Sequence, residues 1–286
     1  MGDVGSLVGT WDPAPVPWVG CLVLAVVYVW AARRVGHRAP AQPWPIRMTL
    51  CWLGGVLAVL VALVGPPGAW DDVYFYAHMT QHVILTGLAA PLLVLGDPLL
   101  LLARSARPAW RRHRLVPVLR SGTVRLLTHP LTGWVLYIGV LSATHVPRVY
   151  DYALEHPAVH EYVEHPLYLA SATLYFYPLL VTTAGRHVPH PVRVVSLFSV
   201  MVPMAILGFF IFALPSVAYP FYAHTDRPFA PGPLTDQHSA GIVMWSGSMA
   251  VGVLWLVVAA RNWLVAEERR TAREDARGRV ASQAPA

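Results

Sequence analysis

Residues 74–91 read YFYAHMTQHVILTGLAAP. The run is apolar enough for lipid, yet it carries two histidines, His78 and His82, four residues apart. An ionisable side chain inside such a run is costly and by default marks function. What the pair does depends on the side of the membrane it faces, so topology comes first.

The chain has 286 residues, of which 56% are hydrophobic and 13% charged. A soluble domain carries about 25% charged residues, so this composition points to an integral membrane protein. The net charge of +6 would suit a nucleic-acid partner. The arginines, however, fall between apolar runs, as expected of cytoplasmic loops, and no nucleic-acid partner is expected. Every basic residue is Arg and none is Lys, which excludes a lysine Schiff base and a retinal-binding seven-helix protein. Cys21 and Cys51 form no CxxC. The topology places them near opposite faces, roughly 20 Å apart at about 1.5 Å per helical residue, as small buried hydrophobes rather than a disulfide.

Seven segments approach the roughly 20 residues a spanning helix needs: 16–33, 47–65, 74–96, 131–147, 161–182, 193–214 and 238–260. The predicted fold is an all-α bundle of about seven transmembrane helices over 1–262, followed by a charged cytoplasmic tail, 263–286. The first segment does not read as a cleaved signal, because its flank carries Asp3 and Asp12 and no Arg. Nineteen of the twenty-one arginines fall on one side, Arg148 and Arg227 being the exceptions. This asymmetry predicts the N-terminus outside and the C-terminus in the cytoplasm. Pro91, Pro166, Pro178 and Pro203 interrupt the spans, each removing a backbone donor; Pro166 also suits the first turn of the fifth span.

Of the thirteen histidines, His37, His113, His129, His187 and His190 fall among the arginines, as loop and interface polarity. The others gather on the outer side. His78 and His82 share one helix face, one turn apart, so both rings can reach one metal ion. The stretch THVPRVYDYALEHPAVHEYVEH, 144–165, adds His145 at the end of the fourth span and His160 and His165 at the start of the fifth. On a regular helix His160 and His165 point about 140° apart, so they share an ion only if Pro166 disturbs the helix. Glu161 and Glu164 are each spaced to orient an imidazole or to be solvated charge at a helix start. His156 and His238 are further possible ligands, whereas His224 reads as surface. Imidazole suits zinc and copper, and thioether favours Cu(I). Met79 adjoins His78 but points about 100° away from it; Met79 and Met244 are possible extra ligands, although these two and Met201, Met204 and Met249 all read first as core filler. The set fits copper better than zinc and leaves zinc open.

HMTQHVILTGLAAPLLVLGDPL resembles the hallmark segment of the multi-spanning CtaG family of cytochrome c oxidase assembly factors, through His78, Met79, Gln81, His82, Pro91, Gly96 and Pro98. HVPRVYDYALEHPAVHEYVEH resembles a second family segment through His145, Pro147, Tyr150, His160, Glu164 and His165. DQHSAGIVMW resembles a third, through Asp236, Gln237, Gly241, Met244 and Trp245. Pro166 and His238 depart from the family pattern. The resemblance implies a multi-pass protein of the bacterial plasma membrane that helps assemble a heme–copper oxidase by handling copper. It implies His78, His82, His145, His160 and His165 as candidate ligands.

Four functions remain open on the sequence. In the first, copper arrives outside, with an extracytoplasmic copper donor as one source, binds the histidine cluster and passes to an oxidase subunit within the lipid bilayer. Such binding needs neutral imidazoles and weakens below a pH of roughly 6.5. The alternatives are a copper or small-solute permease with broken helices, an intramembrane zinc hydrolase with Glu161 or Glu164 as base, and a cytochrome with heme between His82 and His145. No HExxH and no nucleophile support an enzyme.

Overall fold

The computed structural model describes residues 9–181 and 188–282, without the side chains of 277–282. Asp3, Arg186, His187, residue 182 of the fifth expected span and the last four residues of the tail lie outside the described residues. All regular structure among the described residues is helical. The main helices are α1 (Pro15–Arg38), α2 (Ile46–Val64), α3 (75–95), α4 (Pro130–Thr144), α5 (157–180), α6 (His190–Ala213) and α7 (233–282).

Among the described residues, five helical stretches are long and apolar enough to cross a membrane: Pro15–Arg38, Ile46–Ala69, Phe75–Ser105, His190–Ala213 and Pro233–Ala276. The other two expected spans differ for separate reasons. α4 has 15 residues, about 22 Å at 1.5 Å each, against a hydrocarbon core of about 30 Å. α5 carries His160, Glu161, Glu164 and His165 in its first turns and Tyr168, Tyr175 and Tyr177 beyond them, and all but Glu161 are buried inside the bundle. α7 continues past residue 262 without a break.

The burial pattern is that of a protein solvated by lipid. On α1 the side chains of Val19, Leu22, Val23 and Val26 are exposed. On α3 the inward face carries His78, Gln81, His82 and Thr86, all buried. Polar groups need partners that lipid cannot give, so they turn to the interior while apolar side chains face outward. α3 is the central helix: it packs against α2, α5 and α7, while α4 lies on α5 and α6 on α7. α6 and α7 meet closely at Gly208 and Gly241. A Cβ at Gly241 would stand 2.6 Å from the Phe212 nitrogen and 2.7 Å from the Gly208 carbonyl oxygen, so this approach requires glycine.

Two prolines reshape the helices that carry the histidines. Pro91 has no N–H to offer the Gly87 carbonyl. Just before it the chain widens into a π-helical stretch, Ile84–Ala89, in which the Ala90 N–H donates to the Leu85 carbonyl five residues back. The Gly87 carbonyl instead accepts the indole N–H of Trp255 from α7 at 2.7 Å, the re-satisfaction expected of a broken membrane helix. Pro166 acts in the same way in α5. The preceding stretch, His160–Glu164, is π-helical, and the His165 N–H donates to the His160 carbonyl.

Candidate metal centre

Three helices deliver the predicted histidines to one buried layer. α3 brings His78 and His82, the end of α4 brings His145, and the π-turn of α5 brings His160, Glu164 and His165. The widened turn decides the geometry. Residues five apart, which a regular helix would splay, come onto one face, and the His160 and His165 ring centroids are 4.5 Å apart. His78 lies 4.9 Å from His160, and His82 lies 5.8 Å from His145, again between centroids. The layer sits at the end of the bundle formed by the arginine-poor connections, since Tyr222 and Asp71 both touch it.

The hydrogen bonds fix which nitrogens are bare. The Tyr222 hydroxyl donates its single proton to the Asp71 backbone carbonyl at 2.5 Å. It therefore accepts from Nδ1–H of His78 at 3.2 Å, leaving Nε2 of His78 as a lone pair. That nitrogen is 2.7 Å from Nε2 of His82, so a single proton bridges the two rings. Oε1 of Glu164 stands 3.6 Å from Nε2 of His78 and 3.5 Å from Nε2 of His82. Ligand atoms around a tetrahedral ion with bonds of about 2.0–2.1 Å sit about 3.3 Å apart, which is close to this spacing. His145 donates Nδ1–H to the Leu141 carbonyl at 2.8 Å. Its Nε2 is buried and has no hydrogen-bond partner among the described residues; the same holds for Nδ1 of His82. A buried bare nitrogen is costly, and a cation near the layer would satisfy that of His145. The chain's own donors thus fit a metal ion held by imidazole nitrogen and carboxylate oxygen.

A second set of contacts adjoins the first. His160 places Nδ1 2.7 Å from Oε2 of Glu164 and Nε2 3.1 Å from Oδ2 of Asp71. Gln81 donates from Nε2 to Asp71 Oδ2 at 2.8 Å, so its Oε1 must accept Nε2–H of His165, 2.9 Å away. Burial works against a charge on Asp71, but the His160 hydrogen bond and the surrounding imidazoles outweigh it and hold the carboxyl below the usual carboxylate range.

The remaining candidates lie elsewhere. Glu161 is exposed. His238 is turned to the Leu214 carbonyl at 3.1 Å and packs on Phe212. Met79 and Met244 are buried in the apolar core with Phe75, Tyr150 and Ala240. Cys21 packs with Val56, Val59 and Leu85, and both cysteines are free. Conversely, Asp71 and Tyr222 carry no recognisable sequence signal beyond lying in acidic or aromatic connections. Gln81 could have been found as the polar residue that shares the inward face of α3.

Asp236 holds the helix in place. It is fully buried and accepts from the backbone N–H groups of Phe75 at 2.9 Å and Tyr76 at 3.0 Å, capping α3 from another helix. Arg227 pairs with it at 2.7 Å and also donates to the Tyr222 carbonyl. The neighbouring Gln237 accepts from the Ala218 N–H and donates to the Ser216 carbonyl. These two residues thus tie the start of α7 to α3 and to the connection that carries Tyr222.

Together, the fold and centre define a class: an all-helical protein, with several helices fit to cross a membrane, built around a buried imidazole–carboxylate cluster. The chain belongs to the cytochrome c oxidase caa3 assembly factor family (Caa3_CtaG), whose pattern matches residues 26–266. It is 27% identical over 261 residues to the uncharacterized protein Mb0105 of Mycobacterium bovis and to the uncharacterized protein MT0111 of Mycobacterium tuberculosis. It is 25% identical to the uncharacterized protein ML1998 of Mycobacterium leprae. Each match covers 89% of this chain and 39% of the relative, so the chain spans about two-fifths of the length of these relatives. No solved structure matches it.

Proposed function

We propose that this chain is a copper-binding assembly factor for a heme–copper oxidase, embedded in the bacterial plasma membrane. Copper binds at the extracytoplasmic end, where His78 and His82 converge with Glu164 and where the bare nitrogen of His145 lies near. The observation that carries this reading is the meeting of imidazoles from three helices in one buried layer, with nitrogens oriented by Tyr222 and the Leu141 carbonyl. The seven-span topology, N-terminus outside and C-terminus in the cytoplasm, is supported by the placement of nineteen of twenty-one arginines. It opens the cluster to an extracytoplasmic copper donor and sets it beside an oxidase subunit in the same bilayer.

Family membership favours assembly over catalysis. The interior beneath His82 favours holding over passage. There, a cavity of about 30 Å³, lined by Thr86 and Ser248 as well as by apolar side chains such as Val83, Met201, Met204 and Trp255, has no imidazole or carboxylate in its wall. Metal analysis of the purified protein tests the reading. The wild type should retain copper, and His78→Ala/His82→Ala should lose it. Equal copper in both would overturn the site. Zinc in place of copper would overturn the cargo, and copper flux into vesicles would turn the reading toward a permease.

A further inference from the structure

Building on the reading of the cluster as a copper site, we propose that it is binuclear: a second ion position lies beside the first, built from Asp71, His160 and His165. Ligand atoms of these three residues all lie within 4.8 Å of one another, and all three side chains are buried. Asp71 and His165 take no part in the first position, whereas His160 also lies within reach of His78 and Glu164 and so stands between the two. Asp71 comes from the connection between α2 and α3, outside the histidine segments.

Nε2–H of His160 donates to Oδ2 of Asp71, and an ion taken up between them replaces that proton. With an ion between His160 Nε2 and Asp71 Oδ2, now 3.1 Å apart, Nδ1–H of His160 donates to Oε2 of Glu164 at 2.7 Å. A ligating histidine whose other nitrogen is held by a carboxylate is the usual support of a metal site. Gln81 does the same for the remaining ligands. Its Oε1 takes Nε2–H of His165, which leaves Nδ1 bare, and its Nε2 steadies Asp71. Glu164 joins the two positions, since Oε1 faces His78 and His82 while Oε2 supports His160. Two carboxylates among five buried imidazoles also supply the negative charge that a pair of cations requires. The π-turn before Pro166 makes the second position possible, because it brings His165 beside His160.

Titration of the purified full-length chain with Cu(II) tests this. At saturation the wild type should bind two ions and show the magnetic coupling of neighbouring Cu(II) centres by electron paramagnetic resonance. Asp71→Asn and, separately, His165→Ala should each bind one ion and give an isolated Cu(II) signal. The retained ion then reports that the variant is folded. A wild type that saturates at one ion, with no coupling, overturns the second position and leaves the first intact, whatever the variants do. Two ions retained in both Asp71→Asn and His165→Ala also overturn it. A wild type that binds none overturns the copper reading itself and the second position with it.

Discussion

Replacing Asp236 by Ala should be among the most damaging single changes outside the histidine layer. The carboxylate accepts two backbone N–H bonds at the start of α3 and one from Arg227. Hydrogen bonds to a charged group contribute about 1.5–3 kcal/mol each, but three bonds to one carboxylate do not add independently. A second route to the magnitude is the stranded partner. Arg227 has a side chain only 8% exposed, and removing one member of a buried pair costs about 3–5 kcal/mol. The two routes overlap, so the expected loss is about 3–5 kcal/mol. Unfolding in mild detergent by titration with a denaturing detergent, followed by helical circular dichroism, measures it. Asp236→Leu/Arg227→Met should cost clearly less than the sum of the two single changes, because neither charge is then left unpaired. A cost below about 1 kcal/mol for Asp236→Ala, typical of an exposed pair, or strict additivity in the double variant, would refute this account of how α3 is held.

Other expectations follow from the same geometry. Gly241→Ala drives a methyl group into the backbone of α6 and should cost about 1–3 kcal/mol. Gly139→Ala, where a Cβ meets open space, should be neutral or slightly stabilising in the same unfolding assay. Trp255→Phe removes the donor to the Gly87 carbonyl and should cost about 1–3 kcal/mol. Pro91→Ala in that background restores a backbone N–H and should recover part of the loss. Copper affinity should fall as pH is lowered, because protons compete for the imidazole nitrogens that the ion needs. Competition titrations at successive pH values measure the slope, and a flat profile would argue against imidazole ligation.

How much of this could be read from residues alone depends on the reach of each interaction. The outline of the bundle was legible because span length and apolar composition are local properties. The expected boundaries 47–65 and 193–214 fall within three residues of α2 and α6. His78 with His82 was legible for the same reason, as one helical turn fixes their relation. Asp71 was not, because it stands 89 residues from His160 and no spacing rule connects a loop carboxylate to a ring on another helix. The instructive case is His160 with His165. At a regular helical pitch they diverge, and Pro166 reads only as a possible disturbance of the helix. The physical consequence is more specific. A proline deletes the N–H that the carbonyl four residues back would use, and here the chain responds with an i→i+5 turn just before it, as it does again before Pro91. Proline alone does not predict the widening, since Pro178 and Pro203 sit within regular α-helix and Val243–Gly247 widens with no proline after it; the convergence of His160 and His165 therefore depends on packing that no local rule carries.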